Sequence, residues 1–327
     1  MTQLRAPSPR YRSDDPEPTI RLQEDDVEIL WHVYCNRVID AQSIYGLFPN
    51  RSTQGLSRRL NKLRKGTSPF LQRLAQAPNR LAQRNGSDPQ AYALARRGAD
   101  ALRQHRGVEI PPQRWTQKNR ELRPSTIQHD LAASRFMAQL RRDAAAMDGV
   151  ELRYQQEIEG KLSGRVNARG GLKNTLRTRI VRWPGGAGEQ GTAPDRIFEL
   201  VANGRRQYFF LELDAGTETI APSERRIKAP SFWRDTSLLR KFVIYASAFE
   251  NQAHKEVFDI PTFRVLTVTT VPGRAKAMQQ ACATHLKNIR PGLFLFTDWE
   301  RIREHDGPTL SMPFTNAAGR DKPIIVH

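Results

Sequence analysis

The sequence predicts an α/β protein in two parts: an N-terminal winged helix-turn-helix, then an α/β domain built on a sheet. Three observations carry this. The first hundred residues show short amphipathic helices at a period of ~3.6, followed by two short apolar runs around a polar turn. Beyond Met147 the apolar period changes to ~2, the strand signature. The chain of 327 residues is longer than one ordinary core needs.

In the first part, Val27, Leu30, Trp31, Tyr34 and Val38 recur at helical spacing, behind Glu24, Asp25, Asp26 and Glu28, whose charges suit a helix N-terminus. A short helix from Asp40 to Phe48 turns Ile44 and Leu47 inward and ends at Pro49-Asn50. A third helix, Ser52 to Lys65, carries Leu56, Leu60 and Leu63 on one face and stops at Gly66. Phe70 to Ala75 and Ala91 to Ala95 read as strands of a wing around Asn85 to Pro89, and a closing helix begins after Gly98. Helices followed by a wing and a closing helix are the winged helix-turn-helix order.

The expected organisation is a disordered tail over residues 1–21, a winged-helix domain over 22–108, a linker over 109–124, a sheet domain over 125–300 and a tail over 301–327. The sheet domain opens with a helix from Ser125 to Met147. Its candidate strands are 151–158, 196–201, 208–214, 263–270 and 293–297, with helices over 236–249 and 274–289. Gly160 to Gly191, rich in Gly, Arg and Lys, reads as a mobile segment.

The formal net charge is +18, with a pI near 10.5. A protein this basic is suited to a polyanion. A membrane surface would call for a basic amphipathic helix with bulky apolar residues or a lipidation signal, and neither stands out. No run reaches the ~18 apolar residues of a span. The N-terminus lacks the apolar middle of a signal peptide, and Cys35 and Cys282 are too few for a disulfide framework or a zinc cluster. A cytoplasmic protein is the expectation.

The third helix is the candidate DNA reader. Arg51, Ser52, Thr53 and Gln54 stand at its N-terminal end, which enters the major groove in helix-turn-helix proteins. Arg and Gln there can pair with guanine and adenine edges, while Arg58, Arg59, Lys62 and Lys65 meet phosphates. Arg73, Arg80 and Arg84 make the wing basic. The bland alternative is a solvated charged helix.

The sheet domain holds the candidate chemistry. Pro194-Asp195 opens one strand, and Glu212-Leu213-Asp214 closes the next. Glu212 and Asp214 share a face, with Phe209, Leu211 and Leu213 on the other. A hairpin around Asn203-Gly204 brings these carboxylates to one sheet end, where hard ions such as Mg²⁺ or Mn²⁺ prefer oxygen ligands. Such an ion would activate water against a phosphodiester, with Lys241 stabilising the developing charge. His129 and Asp130 lie on the preceding helix. The bland alternative is polar residues at strand ends.

This pattern resembles the PD-(D/E)-x-K nuclease superfamily, with Asp214 in the usual lysine place and Lys241 as a relocated lysine. Pro194-Asp195-Arg196, the strand Phe209 to Asp214 and the following Ala215-Gly216-Thr217-Glu218 resemble, more narrowly, the replication-relaxation family of plasmids and mobile elements. Lys241 with Tyr245, Thr269 ahead of Arg274, and His129 match that family too, while Ala215 departs from its usual arginine. The resemblance implies a restriction-endonuclease-like domain with a mixed central sheet and a role in replication or DNA relaxation. Its catalytic residues would be Asp195, Glu212, Asp214, Lys241 and His129, with the three carboxylates on Mg²⁺ or Mn²⁺. Double-stranded DNA and replication or relaxosome proteins would be its partners. Two function classes stay open: a metal-dependent endonuclease or nickase, and a non-enzymatic DNA-binding accessory or regulatory factor whose nuclease-like domain serves docking.

Overall fold

A computed structural model describes residues 20–75, 89–111, 114–160, 174–180, 183 and 188–325. The wing tip with Arg80 and Arg84, the tail before residue 20, Gly170-Gly171 and Gly185-Gly186 lie outside the described residues.

The N-terminal unit contains α1 (Glu24–Asn36), β1 (Val38–Asp40), α2 (Ala41–Leu47), α3 (Thr53–Leu63), β2 (Leu71–Leu74), β3 (Ala91–Leu94) and α4 (Arg96–Arg106). Its antiparallel sheet runs β1-β3-β2. The caps follow the sequence. Asp40 accepts from Ser43 N at 2.8 Å, Ser52 accepts from Gly55 N at 3.1 Å, and Gly107 ends α4 in the left-handed conformation. This is the winged helix-turn-helix, with β1 as a third strand.

The expected linker is not bare. It forms α5 (Trp115–Arg120), whose buried Asn119 donates to Leu94 O at 3.0 Å and to Gln72 Oε1 at 3.1 Å. A polar residue thus pins this helix to the wing strands without an apolar stripe.

Next come α6 (Pro124–Ala145), β4 (Val150–Tyr154), β5 (Leu176–Ile180), β6 (Gly188–Thr192), β7 (Arg196–Ala202), β8 (Arg205–Asp214), α7 (Glu224–Ile227), α8 (Leu238–Glu250), α9 (Ala253–Phe258), β9 (Arg264–Thr269), α10 (Arg274–His285), β10 (Phe294–Asp298), α11 (Trp299–Glu304), β11 (Pro313–Asn316) and β12 (Asp321–Pro323). The seven-stranded sheet has the order β12-β11-β10-β9-β8-β7-β4. It is mixed: β8, β9 and β10 are parallel, and the other pairs antiparallel. The expected tail over 301–327 is instead largely structured. Its two strands extend the sheet, and Leu310, Met312, Phe314, Ile324 and Ile325 are buried in the core. Within the expected mobile segment, β5 and β6 form a separate hairpin in which Leu176, Thr178 and Ile180 alternate inward.

β7 and β8 join at Asn203-Gly204, both at positive φ (51° and 75°), as a tight hairpin turn of the right twist requires. On one sheet face, Phe198, Phe209, Leu211 and Leu213 share a core with Phe136 and Leu140 of α6 and with Ile29, Leu60 and Leu102 of the winged helix. Phe210, Phe242, Tyr245 and Met278 fill the other face. The two parts therefore share one hydrophobic core. Polar bonds reinforce the seam: Trp31 Nε1 donates to Glu157 at 2.8 Å, and Arg135 Nε to the buried Asp40 at 2.5 Å.

Candidate functional site

On α3, Leu56, Leu60 and Leu63 are buried, so the rest of the helix faces outward. Thr53, Gln54, Arg58, Lys62 and Lys65 are exposed, as are Arg51 and Ser52 just before it and Arg73 on β2. Two of the predicted DNA-contacting cations, one expected at phosphates and one at base edges, have partners inside the protein. Arg59 donates through Nε to Asp26 Oδ1 at 2.7 Å and pairs with the second oxygen as well; Asp26 is fully buried. Arg51 pairs with Asp25 at 2.7 Å. The acidic first turn of α1 therefore holds α3 in place, a tertiary role that the helix dipole alone does not suggest.

The predicted acidic residues meet where β7 and β8 adjoin α6 and α8. Asp195 N donates to Leu211 O at 2.9 Å, and Leu213 N donates to Asp195 Oδ2 at 2.8 Å, so the backbone of β8 fixes this carboxylate. His129 Nε2 lies 3.3 Å from Asp195 Oδ2 and 3.2 Å from Leu213 O. Both neighbours are acceptors, so Nε2 carries the proton. Glu212 points to the opposite face, where Lys241 Nζ is 3.1 Å from its Oε2 and the Tyr245 hydroxyl donates to its Oε1. Lys241 also pairs with Glu218 at 3.1 Å.

Asp214 is held apart from this group. Arg274 grips it through two bonds, at 2.8 and 3.0 Å, and Thr269 Oγ1 donates at 2.6 Å. Arg274 also donates to Glu218 O at 2.7 Å, closing the loop after β8. That loop needs Gly216: its φ is 81°, and a Cβ there would lie 2.5 Å from Val271 Cγ2.

Burial pushes Glu212 up to about 7, and the negative charge of Asp195 adds to this while Lys241 opposes it. Burial would raise Asp195 as well, but His129, the Leu213 N–H and Lys241 together hold it below the ordinary carboxylate range. The hydrogen bond to Asp195 raises His129 despite partial burial. Lys241 is raised: burial opposes its charge, but Glu212, Glu218 and Asp195 outweigh that.

The arrangement bears on the expected metal. Arg274, Lys241 and His129 each engage one of the three carboxylates. Among the described residues, no group of three or more His, Cys, Asp or Glu side chains is arranged to hold a metal ion. The geometry does not fit a divalent ion on Asp195, Glu212 and Asp214 together, with Arg274 and Thr269 engaging both oxygens of Asp214. Chemically, the site offers an oriented, half-buried imidazole and a buried ion network.

The sequence pattern of the replication-relaxation family matches residues 30–253, more than half of the chain, from α1 through the acidic site to the end of α8. The chain belongs to the replication-relaxation family. The family match takes in Asp195, Glu212, Asp214, Lys241, Tyr245 and His129, and membership ties the protein to the replication of plasmids and mobile elements. No curated protein and no solved structure matches the chain. Among the described residues, no helix is long and apolar enough to cross a membrane.

Proposed function

We propose that this replication-relaxation protein binds duplex DNA through α3, and that its sheet domain is a folded platform for that unit and for other replication components, not a metal-dependent nuclease. The observation that carries the reading is the outward face of α3. Its exposed Thr53, Gln54, Arg58, Lys62 and Lys65 project from a helix whose other face is locked into the core. Gln54 is placed to read an adenine edge, and the cations to meet phosphates. The ion-paired carboxylates support the platform role, because a nuclease of the resembled type needs them free to hold an ion.

Selection of duplexes from a random pool by the full chain tests this. The expected result is an enriched motif for the wild type, with loss of preference at one or two positions in Gln54→Ala. No enrichment, or a motif indifferent to both Gln54→Ala and Thr53→Ala, would count against it.

A further inference from the structure

A cavity of about 90 Å³ opens at the amino ends of β8 and β9. Gln207 and Tyr208 of β8, Phe249 of α8, Phe263 just before β9, Arg264 at its start and Arg290 in the turn before β10 line it. The strand pairing explains the meeting: β8, β9 and β10 run parallel, so their first residues lie at one end of the sheet. The acidic site is at the other end. Glu212 follows Tyr208 along β8 by about 13 Å, at ~3.3 Å per residue.

Two guanidinium groups share this cavity, and no acid among the described residues lines it. Arg264 is half-buried, and its Nη1 donates to Ile324 O at 3.5 Å, a long bond to a neutral carbonyl. Arg290 is exposed. Among the described residues, neither forms an ion pair. Arg59, Arg196 and Arg274, by contrast, each meet a buried carboxylate. Burial lowers the pKa of Arg264, and the charge of Arg290 lowers it further. An arginine keeps its proton even so. The two like charges therefore repel at a place partly withdrawn from water. Buried Tyr208 and Phe263, with half-buried Phe249, wall the cavity with rings. Charges there are screened less than at an open surface.

An anion between the two arginines relieves this repulsion, and the guanidinium fork matches the oxygens of a phosphate. The space equals that of about three water molecules, at ~30 Å³ each. It admits one tetrahedral phosphate but not the two sugars that flank a phosphate inside a DNA strand. We infer that Arg264 and Arg290 bind a phosphate group in this cavity, carried by a small phosphomonoester or present as free phosphate. The site lies apart from α3, and its occupancy does not depend on DNA binding.

The test is calorimetric titration of the full chain with sodium phosphate at fixed ionic strength. Wild type is compared with Arg264→Gln, Arg290→Gln and Arg225→Gln, the last an exposed arginine elsewhere. One saturable site is expected in the wild type and in Arg225→Gln. Each cavity variant should bind about tenfold more weakly, the loss of one charge-assisted hydrogen bond. Without phosphate, Arg264→Gln should keep or raise the melting temperature, because one of two neighbouring like charges is gone. A parallel titration with adenosine monophosphate separates the sources. Binding as tight as phosphate or tighter marks a phosphomonoester as the ligand, and weaker binding marks free phosphate. No saturable phosphate site in the wild type would overturn the inference. So would equal binding in all four proteins, which marks general attraction to a basic chain. If Arg264→Gln melts lower, Arg290→Gln decides at an exposed position, and unchanged affinity there overturns the site.

Discussion

Arg59 on α3 and Asp26 on α1 form a two-pronged ion pair, with the carboxylate fully buried and the guanidinium 20% exposed. Asp26 also accepts from Gln23 N at 2.8 Å, so one side chain caps α1 and anchors α3. Asp26→Ala should destabilise the chain by about 3 kcal/mol, because it removes a cap and strands a partly buried cation. Urea denaturation measures this. Arg59→Ala should weaken DNA binding without changing its salt slope, since this arginine positions α3 and makes no phosphate contact of its own.

Asp214 and Arg274 form the second such lock. Asp214→Ala and Arg274→Ala should each cost about 3 kcal/mol, and the double variant clearly less than their sum, because either single change leaves an unmatched charge. A double-mutant cycle by chemical denaturation gives the coupling. Additive losses would mean that the pair is not coupled.

Divalent ions should have little effect on the fold. A bound ion at a hundredfold its Kd would stabilise by about 2.7 kcal/mol, so neither millimolar Mg²⁺ nor EDTA should move the melting temperature. Calorimetric titration with Mn²⁺ should give no saturable site. A site that disappears in Asp195→Ala and Glu212→Ala would restore the metal-dependent reading.

The acidic site should make stability fall as pH rises. Glu212 has its folded value raised from 4.5 to about 7, so the folded state holds its proton more tightly, and stability is lost between those values. His129 is raised above 6.5, so its contribution is complete below that pH and is lost as pH climbs through the raised value. Asp195 is lowered and contributes the opposite way, with stability lost only as pH falls below 3.8. Melting curves from pH 4.5 to 8 should slope downward for the wild type, less steeply in Glu212→Gln. In His129→Gln only the part of the fall above pH 6.5 should be reduced.

Much of this was legible in the sequence, where local pattern and tertiary structure agree. The period change after Met147, the Asn203-Gly204 turn and the alternation of Phe209, Leu211 and Leu213 against Phe210, Glu212 and Asp214 all reappear in the fold. Elements held by something other than an apolar stripe were not legible. Asn119 fixes α5 through two side-chain bonds. β12 spans only Asp321–Pro323, all exposed. β5 carries Arg177 and Arg179 outward and so hides three inward residues in a basic segment. At the site, His129 meets Asp195 and Lys241 meets Glu212, while Asp214, expected in the same cluster, is held by Arg274. Which cation meets which acid did not follow from spacing, because Arg59 and Asp26 are 33 residues apart, and Arg274 and Asp214 60.

The most direct test of the central claim is the binding of the full chain to duplex DNA across a salt series, wild type beside Arg58→Ala/Lys62→Ala/Lys65→Ala. These side chains are exposed, so the variant should fold normally. Wild-type binding should weaken linearly in log–log form, with a variant slope lower by about 2.7, at ~0.9 per lost phosphate contact. Absence of wild-type binding at low salt, or a variant slope equal to that of the wild type, would contradict it.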